Sequence, residues 1–111
     1  MSLSTESISN WMHLFRWIVK LMRDDFGVDE KLLTRTAVLE EVGLTPEQLE
    51  QVLDFIAESF EVRFPDDTLD EVVRLEDLCM LVAWMKGFYK KPDFVTADFE
   101  SRCRAATPIP A

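Results

Sequence analysis

Apolar side chains recur every third or fourth position along most of the chain, the period of amphipathic helices rather than of strands. In the first segment Ile8, Trp11, Met12, Phe15, Ile18, Val19 and Met22 make one stripe. The spacing predicts a helix from Thr5 to Asp25, capped by Ser4 or Thr5 with Glu6 in its first turn. Leu14, Trp17 and Leu21 fall about 100 to 160 degrees from that stripe by 3.6-residue geometry. This helix is therefore apolar on more than one face, and either a second element of the chain or a partner covers the extra strip. Gly27, following Phe26, suits a left-handed residue at the helix end.

A connecting segment from Asp29 to Gly43 follows, in which Leu32, Leu33, Val38 and Leu39 are expected to anchor the chain on the core. Thr34 and Thr36 are candidates to cap a short turn there. Thr45-Pro46-Glu47 then marks a helix start. Threonine caps, proline fits the first position, and the acid meets the positive helix end. This second helix is predicted from Pro46 to about Ser59, with Leu49, Val52, Leu53, Ile56 and Phe60 facing inward. Glu47, Glu50, Asp54 and Glu58 share the opposite side, and Phe55 sits between the two faces.

Phe64-Pro65-Asp66-Asp67 reads as a turn, Asp67 to Val73 as a short third helix using Leu69, Val72 and Val73. A fourth helix is expected from Leu75 to Phe88 or Tyr89, with Leu78, Leu81, Val82, Met85 and Tyr89 as its stripe. Lys90-Lys91-Pro92 breaks it, and Thr96 caps a last short helix to about Arg104. Phe94, Val95 and Phe99 are expected to fold back over Leu14, Trp17 and Leu21. The expectation is one all-α domain over residues 4–104, with 105–111 a disordered tail.

Charge changes this picture more than composition does. The formal net charge is −9, and residues 31–80 carry 13 acidic against 4 basic side chains. An acidic middle repels nucleic acid and anionic lipid and favours basic protein partners. The simpler alternative is that it serves solubility alone. Cys79 and Cys103 form no CxxC pair, which points to a reducing, cytoplasmic setting rather than a disulfide framework or zinc site. No apolar run approaches the roughly 20 residues of a membrane span, and the first residues lack the order of a signal peptide.

No residues combine into a catalytic or metal-binding motif. The single histidine, His13, lies opposite the main stripe of the first helix, where a surface role is expected. Asp66, Asp67, Asp70 and Glu71 lack the alternating spacing and glycine of a calcium loop. There is no phosphate loop or Ser-His-Asp order. Trp11, Trp17 and Trp84 have no basic groove around them in which to stack bases.

The succession of pieces resembles the acyl carrier protein family. Phe26-Gly27-Val28 is similar to the end of that family's first helix, and Val42-Gly43 to its apolar-glycine step. Glu58-Ser59-Phe60-Glu61-Val62 is similar to its second-helix end, and Phe64-Pro65-Asp66 to its Ile-Pro-Asp turn. Leu75-Glu76-Asp77-Leu78 resembles the start of its fourth helix, so the likeness spans about residues 12–88. The resemblance implies a four-helix bundle with an extended first helix and an extra C-terminal segment. It also implies a partner of the fatty-acid or polyketide-enzyme type.

One departure governs mechanism. The family esterifies a serine three residues past the glycine with 4′-phosphopantetheine, and here Pro46 occupies that position. Proline has no hydroxyl, so no cofactor is expected. Only Glu58 clearly matches the acids that carrier partners read. The expected function is a non-enzymatic binding module that docks a basic surface through Glu47, Glu50, Asp54, Phe55 and Glu58. Two alternatives belong to other classes: a carrier modified at an unrecognised residue, and a structural homodimer built on the surplus aromatic surface of the first helix.

Overall fold

The computed structural model describes residues 10–110, and local capping chemistry accounts for most of its helix ends. The first helix, α1, spans Trp11–Phe26. Asn10 caps it, its Oδ1 accepting from the His13 backbone N–H at 3.0 Å. The expected start at Thr5, with Ser4 or Thr5 as cap, lies outside the described residues. Gly27 closes α1 at φ 69, in the left-handed region. The second helix, α2, spans Pro46–Phe60, as the Thr-Pro-Glu start predicts. Thr45 Oγ1 accepts from the Gln48 N–H at 3.1 Å, and Gln48 Oε1 accepts from the Thr45 N–H at 2.9 Å. This reciprocal pair satisfies two donors at the helix start. At the other end the Lys86 ammonium donates to the Phe60 carbonyl at 2.8 Å, placing a cation at the negative helix end.

Three more helices follow: α3 over Thr68–Glu71, α4 over Leu75–Met85 and α5 over Ala97–Ala106. Among the described residues there is no strand, only an isolated bridge between Val38 and Arg74, so the fold is all-helical. The fourth helix is shorter than expected. It stops at Met85, and Gly87 at φ 85 turns the chain before Phe88 and Tyr89, which are half-buried.

The connection between α1 and α2 contains two 3-10 turns, Glu30–Leu32 and Leu39–Glu41. The first is capped by Asp29, whose carboxylate accepts from the Lys31 N–H, and not by Thr34 or Thr36. Leu33 and Leu39 are buried as expected, whereas Leu32 stays 47% exposed. The connection is strapped to the start of α4. The Leu75 and Glu76 N–H groups donate to the carbonyls of Ala37 and Arg35, both at 2.9 Å. The Leu39 N–H donates to the Val73 carbonyl at 2.9 Å, and Arg74 Nη1 donates to the Thr36 carbonyl at 2.9 Å. Loop carbonyls thus satisfy N–H groups that α4 leaves open at its start.

The core centres on α4, whose Leu75, Leu78, Cys79, Leu81, Val82, Ala83, Trp84 and Met85 are all buried. A helix buried on nearly all sides needs neighbours on all sides. Against it and α2 lies α1, which buries Leu14, Trp17, Ile18, Leu21 and Met22. The expected stripe of the first helix holds only in part: Ile18 and Met22 are buried together with Leu14, Trp17 and Leu21, while Met12 is 40% exposed and Trp11, Phe15 and Val19 are half-buried. The extra strip is covered from within the chain: the Trp17 ring meets Phe60 of α2 edge-on, centroids 4.9 Å apart.

The C-terminal segment buries Val95, Phe99 and Cys103 as expected of an apolar anchor, but its polar ties lead elsewhere than to α1. Arg102 of α5 pairs with Asp67 at 2.6 Å and with Glu71 of α3 at 3.6 Å, and Arg104 lies over the Trp84 ring of α4. The segment expected as a free tail is also engaged. Helix α5 continues to Ala106, and Thr107 is 4% exposed. Its hydroxyl accepts from the Arg63 N–H at 2.6 Å and donates to the Arg63 carbonyl at 2.7 Å. Thr107→Val removes both bonds at constant shape and leaves two backbone groups without partners. We expect a loss of about 1 to 3 kcal/mol, the cost of unsatisfied buried polar groups, measurable by urea denaturation.

Candidate partner-binding site

The apolar demand of the core sets which way α2 faces. With Leu49, Val52, Leu53, Ile56 and Phe60 buried, helical geometry turns Glu47, Glu50, Asp54 and Glu58 outward, and all four are exposed. Phe55 is 47% exposed beside them, its ring meeting Phe26 of α1 edge-on at 5.8 Å. All five residues expected at the site therefore share the outer surface of one helix.

Five acids elsewhere in the chain are neutralised from within it. Arg23 binds Asp24 and Glu30, both at 2.8 Å, and its guanidinium holds the Asp24 carboxyl below the usual range. Lys91 and Arg104 bind Glu100 at 3.0 and 2.9 Å and lower its carboxyl in the same way. Asp67 and Glu71 share Arg102. Among the described residues, Glu47, Glu50, Asp54 and Glu58 form no ion pair.

Two depressions border α2 on one side. The first, of about 510 Å3, lies between the start of α2, the second 3-10 turn and α3. Its apolar lining is Leu39, Leu44, Pro46, Leu49, Leu69 and Val72, and its carboxylates are Glu40, Glu50 and Asp70. The second, of about 280 Å3, lies between α2 and the 63–66 turn. Leu53, Ala57, Phe64 and Pro65 line it with Glu50, Asp54, Asp66 and Arg63. Glu50 borders both. Sequence reasoning missed Glu40, Asp66 and Asp70 as neighbours of this face. Only the acidic bias of residues 31–80 hinted at them, since folding brings three separate segments together.

Pro46 is the first helical residue, and the Thr45 hydroxyl beside it is held in the cap. His13 is exposed on α1. Cys79 and Cys103 are buried, and burial pushes both thiols up, that of Cys103 to about 11, so neither is a ready nucleophile. Among the described residues no cluster of histidine, cysteine and carboxylate side chains could hold a metal ion. No helix there is long and apolar enough to cross a membrane. The acidic turn is partly spent inside the chain, since Asp67 and Glu71 bind Arg102 while Asp66 and Asp70 remain exposed.

No family model matches the chain, and neither a curated protein nor a solved structure matches it.

Proposed function

We propose that this chain is a non-catalytic protein-binding module that docks a basic partner surface through the outer face of α2. The carrying observation is the gathering of four open acids on one face of one helix. Arg23, Lys91, Arg102 and Arg104 are spent on Asp24, Glu30, Asp67, Glu71 and Glu100, while Glu47, Glu50, Asp54 and Glu58 are exposed together and, among the described residues, form no ion pair. Such a field attracts a positive surface and speeds its encounter. Phe55 adds an apolar contact of the kind that anchors interfaces.

The helix order and the Phe64-Pro65-Asp66 turn support reading this as an acyl-carrier-like bundle that has lost its attachment serine. On that reading the partner is an enzyme of the fatty-acid or polyketide type. The alternative of a working carrier is tested with a broad-specificity phosphopantetheinyl transferase and coenzyme A, the mass gain of one arm being the result against us. The homodimer alternative is tested by light scattering: Leu14, Trp17 and Leu21 are buried within the chain, whereas Trp11, Met12 and Phe15 keep part of the apolar surface of α1 open.

Reversing Glu50 and Asp54 to lysine is expected to abolish capture of the native partner while the fold survives. Both side chains are exposed, so no core contact is lost. Surface changes of this kind alter stability by less than about 0.5 kcal/mol. The reversal turns the like-charge pair at positions 54 and 58 into an attraction and keeps a like-charge pair at 50 and 54, so the two i,i+4 effects nearly offset. Pull-down from the native cell, compared between wild type and the double variant, is the measurement. Undiminished capture by a folded variant would show that the acidic face serves solubility alone.

A further inference from the structure

The two depressions beside α2 narrow the class of partner, an argument that rests on the docking role just proposed. They meet at Glu50 and continue one another along the same side of the helix. Between them they follow α2 from Pro46 to Ala57, about 16 Å at the rise of an α-helix, which is three turns. The floor of this trough changes along its length: the wider part exposes more apolar than polar surface, beside Leu44, Leu49 and Leu69, whereas the narrower part, beside Leu53 and Phe64, exposes more polar than apolar. Its rim is acidic, with Glu40, Glu50 and Asp70 around the wider part and Asp54 and Asp66 along the narrower, against the single cation Arg63.

We infer that the partner element is a basic amphipathic helix of about three turns, laid along α2 with its apolar stripe in the trough. Each part of the trough asks for one part of such a helix. Leucine-sized side chains at i, i+3, i+4 and i+7 meet the floor, and lysines or arginines flanking that stripe reach the rim carboxylates. A purely apolar ligand would leave the rim without counter-charges, and a purely basic one would leave the floor uncovered. An anionic lipid surface or nucleic acid is repelled by the same carboxylates. Phe55, Glu47 and Glu58 lie beside the trough on the same helix and do not line it.

The test uses the full chain and a fluorescent synthetic peptide of three to four turns, with leucines at helical spacing and lysines elsewhere. A control peptide of the same composition is scrambled to break the helical period. Anisotropy titration is expected to show the scrambled peptide binding at least about tenfold more weakly. Glu50→Lys with Asp70→Lys is expected to weaken the amphipathic peptide at least about tenfold. Glu47→Lys with Glu58→Lys, an equal change of charge outside the trough, is expected to cost less than about threefold. The neutral pair Glu50→Gln with Asp70→Asn should fall between, and thermal melts confirm that each variant is folded. Methyl resonances of Leu44, Leu49 and Leu69 should shift on binding.

Absence of peptide binding overturns the inference. So does equal binding of the two peptides, or equal weakening by the two lysine pairs. None of these outcomes touches the proposed docking role, which stands if Glu50→Lys with Asp54→Lys still abolishes capture of the native partner. If instead that capture is insensitive while the peptide binds as described, the docking role falls and the trough remains a peptide site.

Discussion

Replacing Phe60 by alanine is expected to cost about 3 to 5 kcal/mol of stability, the range for truncating a core phenylalanine. The side chain is buried at the end of α2 and supports the Trp17 ring of α1 edge-on at 4.9 Å. Truncation removes both its own burial and the packed face of a large neighbour, and the aromatic pair carries roughly another 0.5 to 1.5 kcal/mol within that total. The loss is expected at the upper end because Trp17 belongs to the α1 surface that joins the first helix to α2. Denaturant titration measures it. A loss below about 1 kcal/mol would mean that the α1–α2 contact contributes little to the folded state.

Truncation after Pro92 is expected to lower the melting temperature sharply and to promote self-association. It removes Val95, Phe99 and Cys103 from the core, and Phe99 is fully buried. Large apolar side chains contribute roughly 1.5 to 3 kcal/mol each, which exceeds the cost of ordering the few residues around them. The cut also takes away Arg102 from Asp67 and Glu71, leaving the carboxylates at the two ends of α3 without their cation. Exposed pair energies of this kind are small, so the apolar loss dominates. The newly bared surface includes Trp84, now lined by Arg104, and bare aromatic surface drives association. Thermal melts and light scattering check the two effects separately. An unchanged melt with the chain still monomeric would show that α5 is dispensable.

The parts of the fold legible in the sequence are those whose physics is local. Thr45-Pro46-Glu47 sets the start of α2 because a hydroxyl, a ring lacking N–H and an acid act within one turn. Gly27 ends α1 for an equally local reason. The phase of α1 was legible only in part: Ile18 and Met22 are buried as expected, but Trp11, Met12, Phe15 and Val19 are as apolar as Leu14, Trp17 and Leu21. Which arc is buried depends on where α2 and α4 lie, and that is decided by contacts far apart in the chain. The destination of α5 was hidden likewise, because Arg102 finds Asp67 and Thr107 finds Arg63 only after folding. At the candidate site the outward set on α2 could be read from helical spacing, whereas Glu40, Asp66 and Asp70 join it through tertiary structure.

The strap between the first connection and α4 bears on how the trough admits anything. Leu39 and Glu40, which wall its wider end, sit within a stretch tied to Val73, Leu75 and Glu76 by backbone hydrogen bonds. Opening on that side means breaking several of those bonds together and uncapping α4, so it costs nearly as much as opening the domain. The opposite wall is α3, a single turn held at its start by the Thr68 hydroxyl donating to the Pro65 carbonyl. Helices this short have little stability of their own. Amide protons of Leu39, Leu75 and Glu76 should therefore exchange with solvent as one slow group, and those of α3 much faster. The wall carrying Leu69 and Asp70 is thus the less firmly held of the two, with Arg102 of α5 on Asp67 and Glu71 as its side-chain tie to the rest of the domain.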